Sequence, residues 1–256
     1  MKNFLKRTLH PKYFFYLRER FRKRFDEIPI INEFLDFNKG VMFDVGSCNG
    51  SSFMPFLLKG WDIYAFEPDK GNNKRISDYL NKWKLKANLI EKAVSDVEET
   101  KTFYTSTSSA GIPSLLKFNE NQVVSHELST IMLKNFVKAE NLKQIDFLKI
   151  DIEGYDLMAL KGFDFSDFMP RILMCEFEDK KTKLLGYSTK EMAQFLKDKG
   201  YFLVYSIWFP IKEYGIQHDW KKMSTDINEI NSKDWGNIIG FANEKDFNNF
   251  RQKHKI

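Results

Sequence analysis

Five acidic or polar clusters in this chain stand where apolar runs end, and together they could hold and act on a small polar ligand. They are Asp44 through Gly50, Glu67, Ser95 with Asp96, Asp151 with Glu153, and Glu176 with Glu178. The first says the most. Val41-Met42-Phe43 runs through Asp44 and Val45 into a turn holding Gly46 and Gly50, and a helix-like run begins just beyond. Twenty-one residues past Gly46, a second apolar run at 62–66 ends in Glu67. Strand, glycine turn, helix, strand and terminal acid describe a nucleoside-cofactor site in a doubly wound α/β sheet. The glycines let the backbone approach the ligand, and Glu67 is placed to accept hydrogen bonds from both ribose hydroxyls.

The departures from a dinucleotide motif narrow the ligand. A pyrophosphate cofactor wants Gly-x-Gly-x-x-Gly, whereas this turn has only Gly46 and Gly50, and a carboxylate at Asp44 would repel phosphate. S-adenosylmethionine carries an ammonium and a sulfonium and no phosphate, which suits an acid near the turn. The motif reads as a pocket for that cofactor. Helix capping competes for each acid taken singly, Asp151 above all, because helices begin nearby. Recurrence at successive strand ends is harder to explain by capping.

The elements that must position these clusters alternate along the chain. Strands are expected at 41–45, 62–66, 87–93, 147–150, 171–177, 202–207 and 237–242, with helices near 30–37, 52–59, 71–83, 130–140 and 188–199. That alternation predicts a largely parallel sheet covered by helices, whose ligand sits beyond the carboxyl ends of the strands. Segments 100–105 and 122–128 read instead as an inserted antiparallel hairpin around a Ser/Gly-rich stretch at 106–114. A basic helical arm at 1–38 and a single domain at 39–256 are the expected organisation.

Composition sets the outer limits. At 256 residues, 43% apolar and 16% aromatic, the chain can bury a sizeable core and is not a disordered protein. It has no run of about 18 uninterrupted apolar residues and no secretory leader pattern. Cys48 and Cys175 do not resemble a disulfide framework. A reducing cytoplasm is the expected location. The net charge of +5 is uneven: residues 1–26 carry nine basic side chains against Glu19 and Asp26, and the remaining residues balance at −2. The arm suits packing on the domain with a solvated basic face, and it suits peripheral contact with an anionic inner membrane surface. The slightly acidic body argues against nucleic acid as a partner.

At this point the chain resembles the FkbM family of S-adenosylmethionine-dependent methyltransferases. The landmarks occur in order. They are Phe43-Asp44-Val45-Gly46-Ser47-Cys48-Asn49-Gly50, Tyr64-Ala65-Phe66-Glu67-Pro68, Ala93-Val94-Ser95-Asp96, Ser114-Leu115-Leu116, and the distinctive Ile145 to Gly154 run containing Asp151-Ile152-Glu153-Gly154. Leu160-Lys161-Gly162 follows. The likeness spans about residues 40–205 and departs from the usual pattern at Ser47-Cys48 and at Asp156. It implies a class I methyltransferase (Rossmann-like) fold, a mostly parallel seven-stranded sheet with the last strand inserted antiparallel. It implies action mostly on hydroxyl groups, often of sugars in cell-surface glycans, as in polysaccharide biosynthesis, or of secondary metabolites. Carried onto this chain, Asp44, Gly46, Asn49 and Gly50 hold the methionine end, Glu67 the ribose, and Ser95 and Asp96 the adenine edge. Asp151 and Glu153 then face the sulfonium and the acceptor.

A hydroxyl acceptor must lose a proton as the methyl arrives, so a general base is required. His10 and His254 lie near the termini and His126 in the hairpin; His218 is the outsider, and a surface role is expected for it. A carboxylate base is therefore favoured, Asp151 first and Glu153 second. Asp151, Glu153 and Glu176 could offer oxygen ligands to a divalent metal, but their spacing demands none and no metal is expected. The acceptor should meet the 106–116 segment and the aromatic stretch from Trp208 through Tyr214 and Trp220 to Trp235. Two other readings stay open: a nicotinamide-dependent oxidoreductase, and a membrane-surface or scaffold protein with a vestigial pocket.

Overall fold

The computed structural model describes residues 10–21, 24–106, 113–213 and 218–256. Phe4, Leu5 and Leu9 of the arm, its basic Lys2, Lys6, Arg7, Arg22 and Lys23, residues 107–112 and Tyr214 lie outside the described residues. Among the described residues, two helices come first, α1 (Pro11–Arg20) and α2 (Glu27–Phe34). Then follow β1 (Val41–Val45), α3 (Met54–Leu57), β2 (Asp62–Phe66), α4 (Lys70–Trp83), β3 (Asn88–Ile90) and β4 (Ala93–Val94). The inserted hairpin is β5 (Thr100–Ser106) and β6 (Gln122–Ile131). After it come α5 (Leu133–Ala139), β7 (Phe147–Ile150), α6 (Asp156–Lys161), β8 (Ile172–Glu178), α7 (Asp179–Thr182) and α8 (Thr189–Asp198). The chain ends with β9 (Phe202–Trp208), β10 (Trp220–Ser224), β11 (Trp235–Phe241) and α9 (Glu244–His254).

The main sheet has the order β10-β9-β11-β8-β7-β1-β2-β3. From β8 to β3 all pairings are parallel, and β11 enters antiparallel between β8 and β9, as the class I expectation has it. The count differs from seven. An eighth strand, β10, pairs antiparallel with β9 and makes the sheet mixed. Its residues Trp-Lys-Lys-Met-Ser show no apolar alternation, because lysines on an edge strand keep its open side from pairing with another chain. The strand expected at 87–93 is two pieces. β3 closes the main sheet, while β4 joins the hairpin in a separate sheet of order β4-β6-β5.

Parallel strands sheathed on both faces must be apolar throughout, and β8 is buried along its whole length. Alternation of side chains splits the core into two layers. Phe43, Val45, Leu148 and Ile150 pack with Leu133 of α5, Leu157 and Leu160 of α6, and Met192 and Leu196 of α8. Met42, Phe147 and Met174 pack on the other face with Ile31 of α2, Phe56 of α3, Ile76 of α4 and Phe250 of α9. The second layer also takes in Phe14 and Phe15 of α1, while Tyr13, Leu17 and Phe21 stay exposed.

Asp26 caps α2, accepting from the Ile28 N–H at 3.1 Å. Glu27 then reaches under the sheet, where its Oε1 accepts from Ser206 Oγ (2.6 Å), Trp208 Nε1 (2.8 Å) and Asn237 Nδ2 (3.2 Å). Burial raises the Glu27 pKa, against those hydrogen bonds. No helix among the described residues is long and apolar enough to cross a membrane.

Candidate functional site

β1 delivers Asp44 and the glycine turn. Asp44 lies directly opposite Lys149 of β7 in the parallel register, and alternation turns both side chains toward the face that α2 and α3 cover. Asp44 is fully buried. Its Oδ2 accepts from Ser52 Oγ at 2.5 Å and its Oδ1 lies 3.3 Å from Lys149 Nζ. Burial raises the Asp44 pKa, while Lys149 and Ser52 oppose the rise. Lys149 also reaches Asp151 Oδ2 at 3.3 Å. Burial would discharge that lysine, but Asp151 and Asp44 outweigh it and its pKa ends raised. The sequence offered one sign of this: a lysine within an apolar strand needs a partner.

The turn is shaped by close approach. Gly46 has φ +83°, and a Cβ there would sit 1.9 Å from the Asp151 carbonyl oxygen. Its N–H donates to the Phe66 carbonyl at 2.9 Å, so β1, β2 and β7 converge on it. The Cys48 N–H donates to Glu67 Oε2 at 2.6 Å and the Asp69 N–H to Glu67 Oε1 at 2.9 Å. Glu67 is 5% exposed and burial pushes its pKa up to about 7, against those two donors. Asn49 Oδ1 accepts from the Ser51 N–H at 3.0 Å.

A cavity of about 320 Å³ opens along the strand ends. Gly46, Cys48, Phe66 and Glu67 line one part; Asp151, Glu153, Glu176, Lys181, His218 and Trp235 line the other. A second cavity of about 300 Å³ shares Gly46, Cys48, Asp151 and Trp235 with it and adds Asn49, Ser52, Lys149, Asp26 and Glu27. Sequence-selected residues thus gather at this rim, though not all face it. Asp44 lies beneath the turn, and Gly50 (φ +72°) packs on Phe53. Ser95 is fully buried, its hydroxyl donating to Asp96 Oδ1 at 3.0 Å. Ala93 and Val94 line the cavity just before that pair.

At the other end, one lysine organises the acids. Lys181 of α7 is 1% exposed, with Nζ at 2.6 Å from Glu153, 3.0 Å from Glu176 and 2.9 Å from Glu178. Gly154 (φ +94°) makes room for it, since a Cβ there would stand 2.8 Å from Lys181 Cβ. Glu153 itself adopts φ +59°, a strained backbone for a non-glycine residue. Burial raises the pKa of Glu153 and Glu176, and Lys181 opposes the rise in both. Beneath them Asp156 accepts from the Glu176 N–H at 3.1 Å and is pushed up to about 7 by burial and then by Asp151. Carboxylate oxygens of Asp151, Glu153 and Glu176 lie within 4.8 Å of one another, a spacing that could hold a cation. The Lys181 ammonium supplies positive charge there. Sequence reasoning missed Lys181 because it stands in a run of lysines that looks solvated. His218, expected on the surface, lines the cavity.

The FkbM methyltransferase domain model matches residues 44–203. In structure the chain is similar to a precorrin-6y C5,15-methyltransferase from Geobacter metallireducens, with 13% identity, TM-score 0.44, and 84% of this chain and 87% of that one covered. It is also similar to an rRNA methylase from Streptococcus thermophilus (11%, TM-score 0.42, 84% and 93%) and to TehB from Haemophilus influenzae (8%, TM-score 0.48, 91% and 67%). Among curated proteins, none matches in sequence. With more than half of its length matched, the chain belongs to the FkbM methyltransferase family, and it is an S-adenosylmethionine-dependent methyltransferase.

Proposed function

We propose that this enzyme transfers a methyl group to a hydroxyl of a sugar in a cell-surface glycan or a similar polyhydroxylated acceptor. The observation that carries the reading is the cavity itself: Glu67 at one end, the Asp151 and Glu153 acids with Trp235 at the other, and Gly46 between. An acid-rich end beside an indole offers hydroxyl acceptors and a stacking face, the two contacts a sugar ring asks for.

The site fits S-adenosylmethionine by its own chemistry. Phe66, Val94, Phe103 and Leu115 give the cavity apolar walls, and Asp151 offers a carboxylate to a cationic ligand. Glu67 would hold the ribose, Ser95 and Asp96 would stand behind the adenine wall, and Gly46, Asn49 and Gly50 would shape the methionine end. Asp44 would act there through Ser52 and Lys149, which it holds in place. The bound cofactor supplies an electrophilic methyl group; the protein's task is to align an acceptor with it and to exclude water. Asp151 and Glu153, at the end of the cavity away from Glu67, would orient acceptor hydroxyls, their own carboxylates held by Lys149 and Lys181.

The direct test incubates the protein with methyl-labelled cofactor and fractionated cell-surface glycans and identifies the product by mass spectrometry. A methyl ether on a sugar is the expected product; label confined to protein or nucleic acid would end this reading.

Glu67 makes cofactor affinity depend on pH. Its ionised form accepts from both ribose hydroxyls, and the protonated form gives up part of that capacity. With a pKa of about 7, calorimetry should show adenosylhomocysteine binding about tenfold tighter at pH 8 than at pH 6. Glu67→Gln should bind at least tenfold more weakly at pH 8 and lose the pH dependence. A variant that binds like the parent at both pH values removes Glu67 from the ribose site.

A further inference from the structure

We propose that His218 takes the proton from the acceptor hydroxyl, an assignment that rests on the oxygen-acceptor reading above. The carboxylates at this end of the cavity are already committed to ammonium groups: Asp151 to Lys149, Glu153 and Glu176 to Lys181. A proton landing on any of them would remove one of the carboxylates that together neutralise a buried lysine. His218 lines the same cavity, half-buried, and no described residue holds either ring nitrogen by a hydrogen bond. Its orientation is nonetheless set. The ring stands edge-on to Trp235, centroids 5.1 Å apart at 76°, and the Trp235 Nε1 is anchored to the Phe209 carbonyl at 2.9 Å.

The surrounding charges suit a base that cycles. Burial lowers the His218 pKa, Glu178 at the end of β8 opposes that, Lys181 of α7 adds to it, and the neighbouring Asp219 opposes it. Asp151, Glu153 and Glu176 border the cavity farther along. The resting imidazole is neutral at physiological pH, and the acids nearby steady the imidazolium formed in turnover. As the acceptor oxygen bonds to the methyl carbon, the carbon–sulfur bond breaks and the hydroxyl proton passes to a ring nitrogen. The products are a methyl ether and adenosylhomocysteine, and the half-exposed ring returns its proton to water.

The test has a readout independent of turnover. The imidazole C2 proton of His218, assigned by its loss in His218→Gln, is titrated by NMR in the full chain bound to adenosylhomocysteine and then to sinefungin. Sinefungin places an amino cation where the cofactor carries its methyl-bearing sulfur. A ring facing the transfer point should titrate at least about half a pH unit lower in the sinefungin complex, because a nearby like charge disfavours protonation. In the glycan assay, His218→Gln should lose about 10²–10⁴-fold in rate, together with the rise in rate through the histidine midpoint. Equal midpoints in the two complexes, or a variant within threefold of the parent with that rise intact, overturns the assignment. Failure of both analogues to bind would instead defeat the cofactor site, and His218 with it.

Discussion

Lys181→Met is expected to cost about 3–5 kcal/mol of stability at pH 8, lowering the melting temperature by about 10 °C or more. Three carboxylates converge within 2.6–3.0 Å of the Lys181 ammonium, which is 1% exposed. Methionine fills the space but leaves Glu153, Glu176 and Glu178 facing one another without a counter-charge. The loss should depend on pH in one direction. Glu153 and Glu176 already have raised pKa values in the folded protein, burial first and neighbouring acids after it, with Lys181 holding them down. Without Lys181 they rise further. The folded state then keeps protons that the unfolded chain releases, so its stability is fullest below the ordinary glutamate range and falls as pH climbs through it. Thermal melts at pH 5 and pH 8 should therefore diverge more for the variant than for the parent. Adding Glu176→Gln and Glu178→Gln to Lys181→Met should restore much of the loss, because removing both sides of a buried ion cluster is far milder than removing one. A single variant that melts with the parent at both pH values would show that the cluster is not held by its lysine.

Gly46→Ala is expected to weaken adenosylhomocysteine binding by at least about 100-fold and to cost about 2–3 kcal/mol of stability. The new Cβ would meet the Asp151 carbonyl oxygen at 1.9 Å, with φ at +83°. Neither neighbour can step aside cheaply. The Asp151 N–H donates to the Val45 carbonyl at 2.9 Å, and the Gly46 N–H donates to Phe66. Relief must then move the turn or the end of β7. The turn carries the Cys48 N–H that steadies Glu67, and β7 carries Lys149 and leads into Asp151. Gly60→Ala is the control. Gly60 has nearly the same backbone, φ +88°, but nothing within 4 Å of a built Cβ. It should lose about 1 kcal/mol from backbone strain alone and bind the ligand as the parent does. Calorimetry and thermal melts measure both effects, and equal binding by the two variants would sink the argument from close approach.

Much of the sheet is legible in the sequence. β1, β2 and β7 fall where their apolar runs placed them, at Val41–Val45, Asp62–Phe66 and Phe147–Ile150. Buried parallel strands announce themselves by short dense apolar runs between helices. β10 did not, because an edge strand needs polar residues more than it needs a pattern. The split between β3 and β4 was hidden for a related reason: which sheet two or three residues join depends on what lies beside them, here β2 for one and β6 for the other.

The site divides along the same line. Gly46, Glu67, Asp151 and Glu153 could be chosen from sequence, because a glycine turn and acids at strand ends are local patterns with a chemical reason behind each. The partners of those acids could not. Lys181 reads as one of several solvated lysines until α7 folds over Gly154, and Asp44 reads as a ligand contact until Lys149 appears across the strand pair. His218 lines the cavity beside Trp235, which β11 brings to it. Sequence by itself determined the family, the cofactor and the acids at the rim, since each is written in residues close together along the chain. Tertiary structure alone decided which charges neutralise which, because Coulomb interactions and burial follow distance in space, and the folded chain brings together groups that lie far apart in sequence.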